Sequence, residues 1–360
     1  ANEMYHRFTG GLNALSNTDQ KDAALAELLA TTPEVFNVKS FSAKGGGVTD
    51  DSTAIIAAVA AAEAVNGQVY IPHDTYNMGS STVTIDKPIR VFGDGPLNTT
   101  LVWTKTSGNA VEIGDVADSF FGAVLQDIRL EGPSNANTSS PSQTTVGLHI
   151  NPSGDLSPNT TNGFIRNVHI RKFYRGIQAL RAWNWGAEHL VFQNIFQGLF
   201  FGSNTENIVI SRASFSNCRT ILDYSNGGGL LLDTCSFSNS GLAAGEGSWF
   251  EVYQSLLMLI NPYLEDGSAD ALFAMGVGAV ESATARSALS IIGGEYNDAT
   301  PLVEIFDKRI GVSIDGLRTR GAAKQLVVMT QDGDTTSPTL YPLINPHIRV
   351  IGENEDRKNR

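Results

Sequence analysis

The chain nearly repeats itself: ASFSNC at 213–218 returns as CSFSNS at 235–240. The neighbours follow the same register. Ile208 and Ile210 fall on Leu230 and Leu232, and Phe215 falls on Phe237. The period extends further, since Asn194, Asn217, Asn239 and Asn261 recur at nearly equal steps. Two positions before each Asn stand Phe192, Phe215, Phe237 and Leu259, and Ile170 lies one such step before Phe192. A period near 22 means that one supersecondary unit is stacked on itself, because a single unit cannot bury its apolar face.

The unit is made of short runs. NVHI, HLVF, NIVI, GLLL and TILDY are brief stretches with the alternation of strands, and nothing in 160–262 keeps helical spacing. Three short strands with turns per coil predict an all-β parallel β-helix, its coils stacked about 4.8 Å apart. The Asn column then has a reason: Asn tolerates left-handed turn geometry, and its amide can bond to the Asn above and below. The Phe and Leu column becomes an internal stack. A chain of 360 residues with 36 Gly, 41% hydrophobic and only 17% charged, suits a body that grows along one axis.

The net charge of −12 argues against nucleic acid and against an anionic membrane surface as partners. The longest apolar stretch, AIIAAVAAA at 54–62, is too short to span a bilayer, so no membrane insertion is expected. No signal-peptide pattern is present, and the start at Ala1 fits either a removed leader or a piece of a larger protein. The repeat sets Cys235 on Ala213 and Cys218 on Ser240, five positions out of register. Five extended residues span roughly 16 Å, beyond disulfide reach, so two free thiols are predicted.

The N-terminal part differs. SNTDQKDAALAELLATTP at 16–33 reads as a helix capped by Ser16 or Asn17, with Leu25, Leu28 and Leu29 at helical spacing and Pro33 as its stop. A short strand, a glycine-rich turn and a helix from about Asp51 to Ala64 follow. Glycines before a helix raise the question of phosphate binding. AKGGGVTDD answers it negatively: it has no Walker Lys-Ser/Thr pair and no GxGxxG spacing, and it ends in two carboxylates. Thr49 or Asp50 is expected to cap the helix, and Asp51 to favour its positive end.

The stretches NVKSFSAKGGGVTDDSTAI, GQVYIPHDTYNM and IRVFGDGPLNTTLV, over about residues 36–102, resemble the opening of the pectate-lyase-like superfamily. Ser42 stands where glycine is usual and Gly46 where aspartate is common. The resemblance implies a right-handed parallel β-helix whose open end is capped by the helix at 51–64. The superfamily includes plant-polymer lyases and hydrolases, epimerases and the tailspike depolymerases of phages, and this motif does not choose among them. The extra N-terminal helical segment tilts the reading toward tailspikes. So does the charged ending GENEDRKNR, which reads as a boundary before another module or equally as a solvated end. Tailspikes resembling this chain are homotrimers, which implies a trimer in an extracellular setting on a virion tail. The expected organisation is a helical segment at 1–34, the β-helix at 35–340 and an irregular segment at 341–360.

Polar stretches at 133–146, 151–163, 240–247 and about 264–287 read as insertions that project from the body and wall a binding face. Beyond 288 the period loosens, while SALSIIGGEY, LVEIFD, GVSIDGL and KQLVVMT still read as strands.

A packed interior leaves ligands the outer faces. Sugars stack on aromatic rings and hydrogen-bond to acids and amides, so aromatics and acids sharing a face are the signal sought. In WFEVY, Trp249, Glu251 and Tyr253 alternate with Phe250 and Val252 and are expected to project together. In LRAWNW, Arg181, Trp183 and Trp185 share a parity in the same way. Trp249, Tyr253, Arg181, Trp183 and Trp185 are the expected sugar contacts. The candidate catalytic acids are Glu251, Glu265, Asp266 and Asp223, the last with its direction unresolved. The six His are scattered without an H-x-x-x-H pair, so no metal constellation stands out and no metal or cofactor is expected, with calcium on a carboxylate face left open by the plentiful oxygen ligands.

Three functions fit. The first is an endo-acting glycoside hydrolase that depolymerises a bacterial surface polysaccharide with two carboxylates. The second is a polysaccharide lyase acting on uronate polymers, for which Arg175, Arg181 and His189 are the nearest basic cluster. The third is a non-catalytic carbohydrate-binding fibre or adhesin module.

Overall fold

The computed structural model describes residues 34–114, 120–136, 138, 141–152, 160–202, 204–240, 248–265, 271–275, 287–297, 302–305, 310–319, 327–329 and 347–352. The helix expected at 16–33 lies outside the described residues.

Among the described residues, twenty-seven strands join into one continuous parallel sheet, wound into three faces of a right-handed parallel β-helix. Sheet 1 begins with Val35–Asn37, Gln68–Ile71 and Arg90–Gly93 and continues through Gly229–Asp233, Leu256–Ile260 and Ala288–Ile292. Sheet 2 begins with Asp74–Asn77 and Thr99–Val102 and continues through Ser236–Ser238, Tyr263–Glu265 and Glu295–Asn297. Sheet 3 includes Ser107–Ile113, Thr144–Ile150, Arg175–Ala179, Ser248–Tyr253, Ala271–Met275 and Val303–Ile305. Some strands bend around corners: Val124–Glu131 and Phe164–Arg171 serve sheets 1 and 2. Val191–Phe201 and Ser214–Ser225 serve sheets 2 and 3.

The predicted register is present between 208 and 238. Ile208 faces Leu230, Ile210 faces Leu232, and Phe192, Phe215 and Phe237 face one another in turn. Asn194, Asn217 and Asn239 all hold left-handed backbone, with φ of 58°, 51° and 46°. Asn261 does not continue their column. Leu259 faces Leu232, and Phe237 faces Leu264 instead. Asn261 occupies a different turn, the one that holds Arg212 and Thr234 in the coils below. The insertion after Ser240 makes the coil from Phe237 to Leu264 longer than the one from Phe215 to Phe237, and a fixed period falls short of its end. The stretch read as a fourth insertion likewise contains the strand Ala271–Met275. The C-terminal segment read as irregular contains His347–Gly352, which pairs with Gly311–Thr319.

The interior is a stack of side chains one coil apart. Phe192 and Phe215 lie 4.4 Å apart and nearly parallel, Phe215 and Phe237 5.2 Å apart, and Phe250 and Phe273 4.4 Å apart. Phe237 meets Phe250 edge-on at 5.1 Å and links the sheet 2 stack to that of sheet 3. Each ring in the middle of the stack therefore touches one above and one below, at separations typical of favourable aromatic pairs. Cys218 and Cys235 are both free and buried in this core. Burial pushes their thiols up, to about 12 and about 11.

Helix α1, Ser52–Val65, covers the N-terminal end of the coils through buried Ile55, Ala58, Val59 and Ala62. The N-cap position is held by Asp51 rather than Thr49 or Asp50, and its side chain makes no bond to the helix, while Asp50 just before it accepts from the Ser52 N–H at 2.9 Å. Asp51 turns back and accepts from the Lys44 and Gly45 N–H groups. The Gly46 N–H reaches Asp74 at 2.7 Å. The two carboxylates thus hold the glycine turn closed. Gly45 has φ +75°, and a Cβ there would stand 2.1 Å from an Asp74 oxygen, so only glycine fits. Among the described residues no helix is long and apolar enough to cross a membrane.

Candidate functional site

The outer side of sheet 3 carries a line of polar residues drawn from successive coils. Glu112 faces His149, which faces Gln178. Gln178 faces Phe200, which faces Asp223, which faces Glu251. Beside this column runs a second one, in which Arg175 faces Gln197 and Gln197 faces Thr220. Leu222, Tyr224, Phe250 and Val252 are fully or almost fully buried, so Asp223 and Glu251 between them point outward.

Hydrogen bonds tie the two columns together. The Gln178 amide meets the His149 ring at 3.1 Å. Arg175 donates from Nη1 to Gln178 at 2.7 Å and from Nε to Gln197 at 2.8 Å. Gln197 in turn donates to Asp223 Oδ2 at 3.1 Å. The Arg175 guanidinium lies 3.7 Å above the Phe200 ring centre, which fixes its plane. Arg175 is thus held by two amides and a ring, and its charge acts on Asp223 through Gln197.

The two acids differ in environment. Burial raises the Glu251 carboxyl above the usual glutamate range, and the neighbouring Asp223 charge raises it further. Burial also raises Asp223, while the Gln197 hydrogen bond and the Arg175 charge pull it back. Glu251 therefore has no opposing influence and Asp223 has two. When the pair loses its first proton, Asp223 is the better holder of the charge. Burial and the Arg175 charge push His149 down to about 4, so it is neutral near pH 7.

Half-buried rings border the acids. Tyr174 and Phe196 stack at 4.7 Å at the corner between sheets 2 and 3, and the Arg219 guanidinium lies 5.8 Å from the Phe196 centre. Tyr253, two residues beyond Glu251 and facing Ser225, shares the outward side.

Only part of the expected site assembles. Asp223 and Glu251 become direct neighbours, and Tyr253 joins them. Trp249 does not: it is fully buried. The residue before each of Leu222, Phe250, Phe273 and Val303 is also buried, as Ile221, Trp249, Leu272 and Leu302. Two consecutive side chains enter the core in each of these coils, which breaks the alternation on which the outward reading of Trp249 rested. Trp185 is likewise buried. Trp183 sits in a small separate sheet with Thr161 and donates its ring N–H to the Asn204 carbonyl at 2.6 Å. Arg181 and His189 occupy left-handed turn positions at other corners. Glu265 lies on sheet 2, where it accepts from Asn297 at 3.3 Å, and so does not share the face of Glu251. Asp266 lies outside the described residues. Tyr174, Phe196, Gln178, Gln197, Phe200 and His149 were not singled out by sequence reasoning. Their signal was the same period, since Arg175 and Gln197 stand one coil apart, as do Gln178 and Phe200. Among the described residues no three His, Cys, Asp or Glu side chains converge as a metal site.

Residues 35–244 match the model of the rhamnogalacturonase A/epimerase, pectate lyase-like family, more than half of the chain. The chain belongs to this family. No curated protein matches it. Among solved structures, ORF18 of Geobacillus virus E2 superposes with a TM-score of 0.58 at 16% identity, over 88% of this chain and 63% of that one. The enzymatically active domain of bacteriophage CBA120 tailspike protein 2 gives 0.60 at 14% identity, over 80% and 43%. The tailspike protein of Acinetobacter phage vB_ApiP_P1 gives 0.57 at 12%, over 88% and 59%. At these identities the likeness is one of fold. This family member spans less than two thirds of the length of each of these structures.

Proposed function

We propose that the protein is an endo-acting glycoside hydrolase that depolymerises a bacterial surface polysaccharide, as part of an extracellular phage tailspike. The observation that carries this reading is the pairing of Asp223 with Glu251 on adjacent coils, in settings that push their proton affinities apart. The family and the tailspike fold neighbours support a polysaccharide as substrate. In this reading the sugar chain lies on the outer face of sheet 3, with rings held by Tyr174, Phe196 and Tyr253.

Protonated Glu251 gives its proton to the glycosidic oxygen as that bond breaks. Ionised Asp223 attacks the anomeric carbon and forms a glycosyl ester. Glu251, now ionised, takes a proton from water, whose oxygen displaces Asp223 and releases the sugar. Facing residues on adjacent parallel strands are about 4.8 Å apart, which matches the roughly 5–5.5 Å between carboxyl groups in retaining enzymes. The hydrolysis products are therefore expected to keep the anomeric configuration.

The test is incubation with a panel of bacterial surface polysaccharides, followed by product mass spectrometry and proton NMR. New reducing ends with retained configuration are expected. Products carrying an unsaturated uronate, seen by ultraviolet absorbance, would replace this reading with the lyase. Binding without cleavage would replace it with the adhesin.

The homotrimer is part of the same proposal. Sheet 1 exposes an apolar stripe in which Val209, Leu256, Met258 and Ile292 are 38–51% exposed. Copies of one chain share one axial repeat, so such stripes can interdigitate along their length. Light scattering at micromolar concentration should give three times the chain mass, and Met258→Asp with Leu256→Asp should reduce it. A monomeric wild-type protein sinks the trimer.

A further inference from the structure

Sheet 2 carries a cluster that the sheet 3 site does not use. Ile128, Leu130, Val168 and Ile170 are fully buried, so Arg129, Glu131, His169 and Arg171 lie on the outer side. Arg129 faces His169, and Glu131 faces Arg171. Their Cα atoms mark a patch about 4.8 Å by 6.6 Å. The next residue, Lys172, places its ammonium 2.7 Å from one Glu131 oxygen, and Arg171 Nε lies 3.7 Å from the other. Arg171 and Lys172 thus share the Glu131 carboxylate, with Arg129 and the His169 imidazole on the same face.

That concentration runs against the composition, since the whole chain has 25 Lys and Arg against 37 Asp and Glu. Among the described residues no carboxylate lies within ion-pair distance of Arg129. The Nε atoms of Arg129 and Arg171 are both buried and make no hydrogen bond. A buried donor without an acceptor costs about 1–3 kcal/mol, and this surface holds two of them, diagonally across adjacent coils. Both guanidinium charges also lower the proton affinity of His169, after the effect of burial, which places them close to its ring. An anion on the outer face would lie among positive charges that the single Glu131 carboxylate does not match. The guanidinium fork matches the paired oxygens of a carboxylate or a phosphate.

We infer that Arg129, His169 and Arg171 form an oxyanion-binding site on sheet 2 that takes a carboxylate or phosphate group. It lies around the corner from the sheet 3 acids, with the Tyr174–Phe196 shelf between them. A charged substituent of a polymer and a free inorganic anion would both satisfy this chemistry. A polymer crossing the shelf could engage both faces.

The test is calorimetric titration of the full chain, at constant ionic strength, with inorganic phosphate, with glucuronate and with neutral glucose. Saturable binding of phosphate, glucuronate or both is expected, with none of glucose, and the anion that binds identifies the group taken. Arg129→Gln should weaken binding about tenfold or more. Arg129→Lys keeps the charge but loses the fork, and should also weaken it, which covers the case in which the Gln variant fails to fold. Glu251→Gln should leave it unchanged, so loss of hydrolysis and loss of this site are separate results. No saturable binding of either anion overturns the inference. Equal binding of glucose, or unchanged binding in both folded Arg129 variants, does the same.

Discussion

Glu251→Gln is expected to lose about a thousandfold in polysaccharide cleavage while still binding the polymer. General acid catalysis contributes roughly 10²–10⁴ in rate, and glutamine keeps the shape of the side chain without the transferable proton. Asp223→Asn should lose a similar factor, because an amide neither attacks the anomeric carbon nor carries the charge that Arg175 and Gln197 are placed to hold. Wild-type rates in both variants would remove the pair from the mechanism. Stability should move the other way. The folded-state proton affinity of Glu251 is raised, so the native protein holds that proton more tightly than the unfolded chain. Stability then falls as pH rises from the unfolded glutamate value, about 4.3, through the folded value, and the full penalty is present above both. At pH 7 the Gln variant should melt at the same temperature as wild type or higher, and its advantage should vanish below about pH 4. A Gln variant that melts lower at pH 7 than at pH 4, relative to wild type, contradicts that sign.

Phe215→Ala should be the most damaging core change on this side of the helix, at about 3–5 kcal/mol. The ring is fully buried and is stacked on both sides, by Phe192 below and Phe237 above. Its loss leaves a cavity and removes two aromatic contacts together. In a solenoid each coil is stabilised mainly by its neighbours, so the damage falls on the two interfaces at once. Urea unfolding monitored by circular dichroism gives the size of the effect. A companion Leu97→Ala, at a position 77% exposed and away from the sheet 1 stripe, should change stability by about 0.5 kcal/mol or less. If the two variants unfold at the same urea concentration, the stack is not a principal support.

The fold was legible because stacking makes each coil copy the spacing of the last. Phe192, Phe215 and Phe237 report that spacing directly. Legibility ended where a coil changed length. The extra chain between Phe237 and Leu264 moved Leu259 and Asn261 onto another sheet edge, and a fixed period cannot register a coil that has gained residues. The site was half legible for a different reason. Asp223 and Glu251 were found as acids, but their adjacency spans that same lengthened coil, which no constant period contains. Trp249 was misplaced because strand alternation assumes one inward residue in two, and sheet 3 turns Trp249 and Phe250 inward together. The amides that tie Arg175 to Asp223 drew no notice as isolated glutamines. Aligned at the coil spacing, Gln178 falls beside Phe200, Phe200 beside Asp223 and Gln197 beside Arg175, and the network becomes readable.

The capping helix has a consequence for the state in which such a protein persists. A β-helix is built on the hydrogen-bonding plan of a cross-β fibril, with one backbone layer templating the next at the same spacing. What separates a finite molecule from a growing filament is whether its terminal layer offers free N–H and C=O groups to another chain. Helix α1 lies against Val35–Asn37, Gln68–Ile71 and Val83–Ile85 and sets its own closed hydrogen-bond ladder against the first coils. An incoming strand finds helix where it would need an edge. The glycine turn that Asp51 and Asp74 clamp leads straight into that helix and so fixes where the first layer ends.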